Sequence, residues 1–308
     1  MKLSGFIYMP FSCSCHISYK DQASISSPRY SQDHIPSTMS KPELPPEIIA
    51  AIVNQLHDRS SLEACSLVSL SFLFPSQSQL FREVNLETQS SCMSRRTAYI
   101  NFHNWLFDNP HLGVHVQSLH LGDDNQDDFH WDLDESWILE RESTLSQTLS
   151  LLPRLQNFSL TFNSEIVDWT RIPRHTRSAF LLLFQLPTLK AVSLNNISSL
   201  PSNDVLPLLN MERLALSFVE IQDTGRPIKI DEHQQGSSHL FLYLQGVSAP
   251  TITAVTDALS KITSKNVHTL SIAPTFNSSV SGSIHAVNSN LAAEVTALEW
   301  LPSADICE

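Results

Sequence analysis

Asp123, Asn125, Asp127 and Asp134 stand at positions 1, 3, 5 and 12 of a calcium-loop spacing, where oxygen ligands are required. The sixth position of such a loop needs glycine for its sharp turn, and here it is Asp128, without helical patterns on the flanks. The spacing therefore does not make a calcium site. Cys13-Ser14-Cys15-His16 offers soft ligands, but a tetrahedral structural site usually draws four ligands from two clusters. His111 and His115 lie four apart, yet Gly113 and strand-like surroundings argue against a metal pair on one helix face. The chain has no Gly-rich phosphate loop, no His-Glu-x-x-His and no Gly-x-Ser-x-Gly elbow among only seven glycines. No catalytic residue, metal ligand or cofactor is expected.

The same acidic stretch suits recognition better. Asp123 to Glu135 collects seven acidic residues around Trp131, with Trp137 just after it. Exposed indoles anchor a partner while carboxylates attract a basic one. Burying that many carboxylates without counter-charges would be costly. Trp131 and Trp137 are therefore expected to be partner contacts rather than core.

A formal net charge of −12 argues against nucleic acid or anionic membrane as the main partner, because both need basic surface. The 308 residues, 42% apolar, are enough for a sizeable core. No apolar run approaches the eighteen residues of a membrane span, the densest being Ala179 to Phe184. Five scattered cysteines form no disulfide framework, which fits a reducing compartment and an intracellular protein, cytoplasmic, nuclear or both. Residues 1–38 mix Ser, Tyr, Pro, Gln and His without a period and are expected to be a poorly ordered tail. Met39 is then a second candidate for the start of translation.

The elements that could hold a partner begin at Leu44. Pro45 and Pro46 suit a first helical turn, and Glu47 meets the positive end of the helix dipole. Ile48, Ile49, Ile52, Val53 and Leu56 follow at steps of three and four, which predicts an amphipathic helix. Ser60 and Glu63 have capping-box spacing for a second helix carrying Leu62, Cys65, Val68 and Phe72 and ending at Pro75. A third segment, Gln77 to Val84, carries Leu80, Phe81 and Val84. So small a unit shields apolar area poorly, so some of these residues must face a partner.

This order resembles the F-box over residues 41–87, down to Leu62-Glu63-Ala64-Cys65-Ser66-Leu67-Val68-Ser69, which is similar to F-box proteins of mushroom-forming fungi. The resemblance implies docking onto the Skp adaptor of a cullin ubiquitin ligase, with the rest of the chain selecting a protein substrate. It assigns Leu44, Pro45, Ile48, Ile52, Leu56, Val68, Phe72, Leu80 and Phe81 to the adaptor interface or its supporting core. Phe72 departs from the tryptophan many members carry, keeping the apolar area and losing the indole donor.

Residues 88–308 repeat a helical stretch, a break and a strand-like Leu-x-x-Leu-x-Leu. The instances are Val116-Leu119-Leu121, Leu155-Phe158-Leu160, Leu189-Val192-Leu194, Met211-Leu214-Leu216 and Val267-Leu270-Ile272. Pro153 and Pro187 end the helical stripes before two of them. These units resemble degenerate leucine-rich repeats, which lack here the regular asparagine after the strand. The expected fold is thus α/β, a three-helix F-box followed by an irregular leucine-rich-repeat-like solenoid. Its concave face would carry Ser118, His120, Asn157, Ser159, Thr161, Ser193, Asn195, Arg213, Ser217, Thr269 and Ser271, of which Asn157, Ser159, Thr161, Ser193, Asn195, Arg213 and Ser217, with the two tryptophans, are the expected substrate contacts. A ligase-independent interaction scaffold and a hydrolase in the C-terminal region are the other two readings left open.

Overall fold

The computed structural model describes residues 44–86, 95–123, 137–140, 144–162, 166–223, 239–261, 266–273 and 297–300. Residues 1–38, Trp131 and the acidic segment beyond Asp123 lie outside them. The described chain forms two units, the first ending at Leu80 and the second beginning at Phe81.

The first unit has three helices: α1 (Pro46–Asn54), α2 (Arg59–Val68) and α3 (Leu70–Leu80). Pro46 opens α1 and Glu47 sits in its first turn, as its sequence predicts. Three boundaries differ from expectation, and the first is the third segment: Gln77 to Leu80 complete α3, while Val84 lies past its end in a strand. The N-cap of α2 is Asp58, not Ser60: its carboxylate accepts from the Ser61 backbone N–H at 2.7 Å and from the Ser60 hydroxyl at 2.7 Å, while Glu63 pairs with Arg59 at 2.8 Å instead of reaching back. An ionised acceptor outcompetes the neighbouring hydroxyl for the orphan amide. The chain then breaks at Ser69 (φ −162, ψ 164), not at Pro75, which lies inside α3. The amides of Phe72 and Leu73 both donate to the Ser69 carbonyl, so the new helix is started before the proline interrupts a single bond.

Hydrogen bonds from the Ser61 amide, then from the Ser60 hydroxyl, hold the Asp58 carboxyl down from 3.8 to about 2. A depressed carboxyl contributes stability above its unfolded value, and that contribution is lost as pH falls through the folded one. Asp58→Asn keeps a neutral acceptor. The stability advantage of wild type over this variant is expected at neutral pH and to vanish by about pH 2. Thermal melts across that range check it, and a difference that does not change with pH rejects the cap.

The second unit is built on parallel strands in chain order: β1 (Glu83–Leu86), β2 (Ser118–Asp123), β3 (Asn157–Phe162), β5 (Ala191–Pro201), β6 (Arg213–Gln222), β7 (His239–Gln245), β8 (Asn266–Ala273) and β9 (Ala297–Trp300). Between β3 and β5, the short β4 (Val167–Asp168) pairs with Ile197 and Ser198 of β5. Each long strand pairs with the next, and among the described residues helices lie between β1 and β2, β2 and β3, β4 and β5, β5 and β6, and β7 and β8. The five strands expected from Leu-x-x-Leu-x-Leu all form. Entry to successive strands is also alike. The Arg82 carbonyl accepts from Gln117 and Ser118, that of Gln117 from Gln156 and Asn157, that of Gln156 from Lys190 and Ala191, and that of Lys190 from Glu212 and Arg213.

This register stacks apolar on apolar. Val84, Leu119, Phe158, Val192, Leu214 and Leu242 make one buried row, and Leu86, Leu121, Leu160, Leu194, Leu216 and Leu244 the next. The residues between them alternate outward, the pattern of a sheet covered on one face, whereas a doubly covered parallel sheet is apolar throughout. The cover comes from α4 (Arg95–Asp108), α5 (Leu145–Ser150), α6 (Arg174–Phe184), α7 (Ser202–Val205) and α8 (Ala249–Lys261). Phe158 meets Phe180 and Phe184 of α6 at ring separations of 5.8 and 6.4 Å. Phe162, Phe180 and Leu145 are fully buried with them.

Trp137 belongs to this core. It is 6% exposed in a 3-10 turn, Trp137–Leu139, and stacks on Tyr99 of α4 at 4.2 Å. The expectation of an exposed partner contact is therefore corrected. Ile138 and Leu139 are buried beside it, and this apolar triplet decides its placement rather than the charges that precede it.

Candidate functional site

The first unit sorts its apolar residues into two rows on α1. Ile49 (4% exposed) and Val53 (0%) pack with Leu62, and Leu56, Phe72 and Leu80 close over them. The neighbouring row, Leu44 (51%), Ile48 (48%) and Ile52 (42%), repeats every four residues and stays in solvent. Pro45 is exposed at its head. Val68 is exposed too, joined by Leu67, Leu70 and Phe74, which the sequence reading did not assign. Of the thirteen large apolar residues exposed among the described ones, these seven fall within residues 44–74. Such concentration marks an interaction surface, since scattered single residues are the ordinary case.

Of the nine residues matched to the adaptor interface or its support, five are exposed (Leu44, Pro45, Ile48, Ile52, Val68) and three support the core (Leu56, Phe72, Leu80). Phe81 is different. Its ring lies 4.4 Å from Trp105 of α4, inside the second unit, because the chain from Arg82 onward is already committed to the sheet. The helical module thus ends at Leu80, and the boundary at residue 87 is corrected.

The uncovered sheet face carries the polar residues expected from alternation. Ser118, His120, Asn157, Thr161, Ser193, Asn195, Arg213 and Ser217 occupy outward strand positions, with Ser159 more deeply set. Asn157 Nδ2 donates to Ser118 Oγ at 2.8 Å, and His120 lies 3.8 Å from Glu83 across the β1–β2 edge. For Thr269 the side chain is not described, and Ser271 is 8% exposed.

One depression of about 360 Å³ opens on this face. Two small residues on neighbouring strands, offset by one outward position, line it: Ala191 beside Arg213, and Ala215 between Ser193 and Tyr243. Arg213, Phe241 and Tyr243 rise around the gap the alanines leave. Phe241 is 42% exposed, and among the described residues no acidic one lines the depression. Ser271 Oγ borders it, buried and without a hydrogen-bond partner. Tyr243 and Phe241 were missed by sequence reading, since β7 follows a long polar stretch rather than a terminated helix.

Past this face the strands bend together. Asn196 (φ 59), Phe218 (φ 53) and Gly246 (φ 60) follow the register trio Asn195, Ser217 and Gln245. Gly246 is required here: a Cβ would stand 2.4 Å from the Phe218 ring. The Asn196 amide donates to the Phe162 carbonyl, so an asparagine within β5 ties it to the end of β3.

A cluster of titratable groups lies beneath the other face. Tyr99 Oη meets Thr144 at 2.9 Å and Thr148 at 3.1 Å, and His103 Nδ1 meets Thr148 at 2.9 Å. Burial lowers the His103 pKa and raises that of Tyr99, keeping both neutral at pH 7. Thr148 is 1% exposed, so these groups satisfy one another within the core. Among the described residues no group of three His, Cys, Asp or Glu could hold a metal ion, and no helix is long and apolar enough to cross a membrane. No known protein family matches the chain, and no curated protein matches it either.

Proposed function

We propose that the chain is a substrate-recognition subunit of a Skp/cullin/F-box ubiquitin ligase. Residues 44–80 act as an F-box that docks on a Skp-type adaptor and through it on a cullin. The second unit is an irregular leucine-rich-repeat-like solenoid whose open sheet face presents a protein substrate for ubiquitination. The observation that carries this reading is the row Leu44, Ile48 and Ile52, held half exposed beside a row that already fills the small core. A module that leaves so much apolar surface in water gains most by covering it with a partner.

Two features support the repeat reading. The strands follow chain order in parallel, and the entries to β2, β3, β5 and β6 repeat the same paired acceptance at one carbonyl. The polar, sparsely charged sheet face suits hydrogen bonding to an extended protein segment. Titration of a purified Skp-type adaptor into the chain tests the reading. One-to-one binding at about micromolar or tighter is expected for an interface of ordinary size. No binding at a hundred times that concentration overturns it.

A further inference from the structure

We infer that the depression over Ala191 and Ala215 is a peptide subsite for an apolar side chain flanked by a carboxylate. The inference deepens the substrate-receptor reading and rests on it only for the origin of the segment, not for the binding itself. Two methyl groups and the exposed Phe241 ring line it, so what fills the space is apolar. Arg213 stands at the rim in register with both Ala191 and Phe241. No carboxylate among the described residues pairs with it, although the chain carries a formal net charge of −12. Among the described residues this guanidinium is unpaired and no acidic residue lines the hollow beside it, so it selects an anionic neighbour.

A second observation points to a ligand. Ser271 Oγ is buried at the edge of the hollow with no hydrogen-bond partner. Buried polar atoms are normally satisfied, and the backbone of an extended segment supplies donors and acceptors along its length. A carboxylate is the expected anion, because one planar fork satisfies both of its oxygens and Arg213 is the one guanidinium or ammonium among the described lining residues, which also include His120.

Selection of a displayed random-peptide library on the purified full chain tests the inference without the adaptor. Wild type is expected to enrich an acidic residue within two positions of Leu, Ile, Met or Phe. Arg213→Glu is expected to reverse the charge preference and weaken wild-type-selected peptides by at least about tenfold. Ala215→Phe, which fills the hollow from an outward strand position, is expected to remove the apolar preference. Unchanged enrichment with Arg213→Glu, enrichment dominated by basic residues, or at least tenfold tighter binding of a phosphoserine version of the selected peptide overturns the inference. Adaptor binding by these variants is read in parallel. Its loss in wild type refutes the ligase reading, while the peptide preference stands or falls by itself.

Discussion

Ile48→Asp combined with Ile52→Asp is expected to weaken binding of a Skp-type adaptor by at least about a hundredfold while the chain stays folded. Both side chains are roughly half exposed, so an interface can remove about half of each from water, worth about 1 kcal/mol apiece on ordinary apolar transfer. That loss alone is about 2 kcal/mol, or roughly thirtyfold. Seating two carboxylates in an apolar contact adds a desolvation cost of further kcal/mol, which carries the effect past a hundredfold. The fold is protected because Ile49, Val53 and Leu62, which make the buried cluster, are untouched. Surface changes of this kind shift stability by about half a kcal/mol or less. Isothermal titration reads the binding and circular dichroism the helices. A double variant that titrates like wild type sinks the docking row, whereas Ile49→Asp serves as the contrasting case that should lose helix and binding together.

How far the sequence reveals this protein depends on whether a feature is local. The start of α1 is local: two prolines, a glutamate and apolar residues at steps of three and four specify it without help. The start of α2 is also local but contested, and Asp58 wins over Ser60 by charge, a difference that spacing rules do not weigh. Pro75 is a strong breaker only where the helix has no earlier place to restart, and Ser69 supplies one. Strand alternation told which side of each of the five expected strands faces the core. It missed β1, β4, β7 and β9: β1 has only Val84 and Leu86 to show, β4 is two residues and β9 four, and Leu240-Leu242-Leu244 follows a polar stretch of sequence.

The site was half legible for a related reason. Alternation places Ser193 and Arg213 outward, strand by strand. It says nothing of which outward residues become neighbours. The hollow exists because Ala191 meets Arg213, and Ala215 falls between Ser193 and Tyr243, in cross-strand register. Those pairings join residues of separate strands, and alternation within one strand does not report them. Trp137 is misplaced for another reason: the sequence reading weighs the acidic residues before it, whereas it stacks on Tyr99, thirty-eight residues earlier in the chain.

Trp169→Ala is expected to have the largest effect on the second unit, about 3–5 kcal/mol of stability. Trp169 is fully buried, packs on Phe180 at 5.8 Å and donates through Nε1 to Asp204 Oδ2 at 3.2 Å, tying the turn after β4 to α7. Its loss opens a cavity and leaves the carboxylate without its donor. For a unit of this size the thermal midpoint should fall by on the order of 10 °C, read by calorimetry. Trp169→Phe separates the two contributions. Burial raises the Asp204 pKa, and the Trp169 hydrogen bond, followed by the charge of Arg177, partly offsets that rise. Removing the donor raises it further. A carboxyl with a raised folded pKa contributes stability that is present below its unfolded value and lost as pH rises through the folded one. The deficit of Trp169→Phe should therefore grow from about pH 3 toward pH 7, and Asp204→Asn, which accepts the same bond without charge, should flatten it. A deficit equal at both pH values would mean that the ring alone matters and that Asp204 is a bystander.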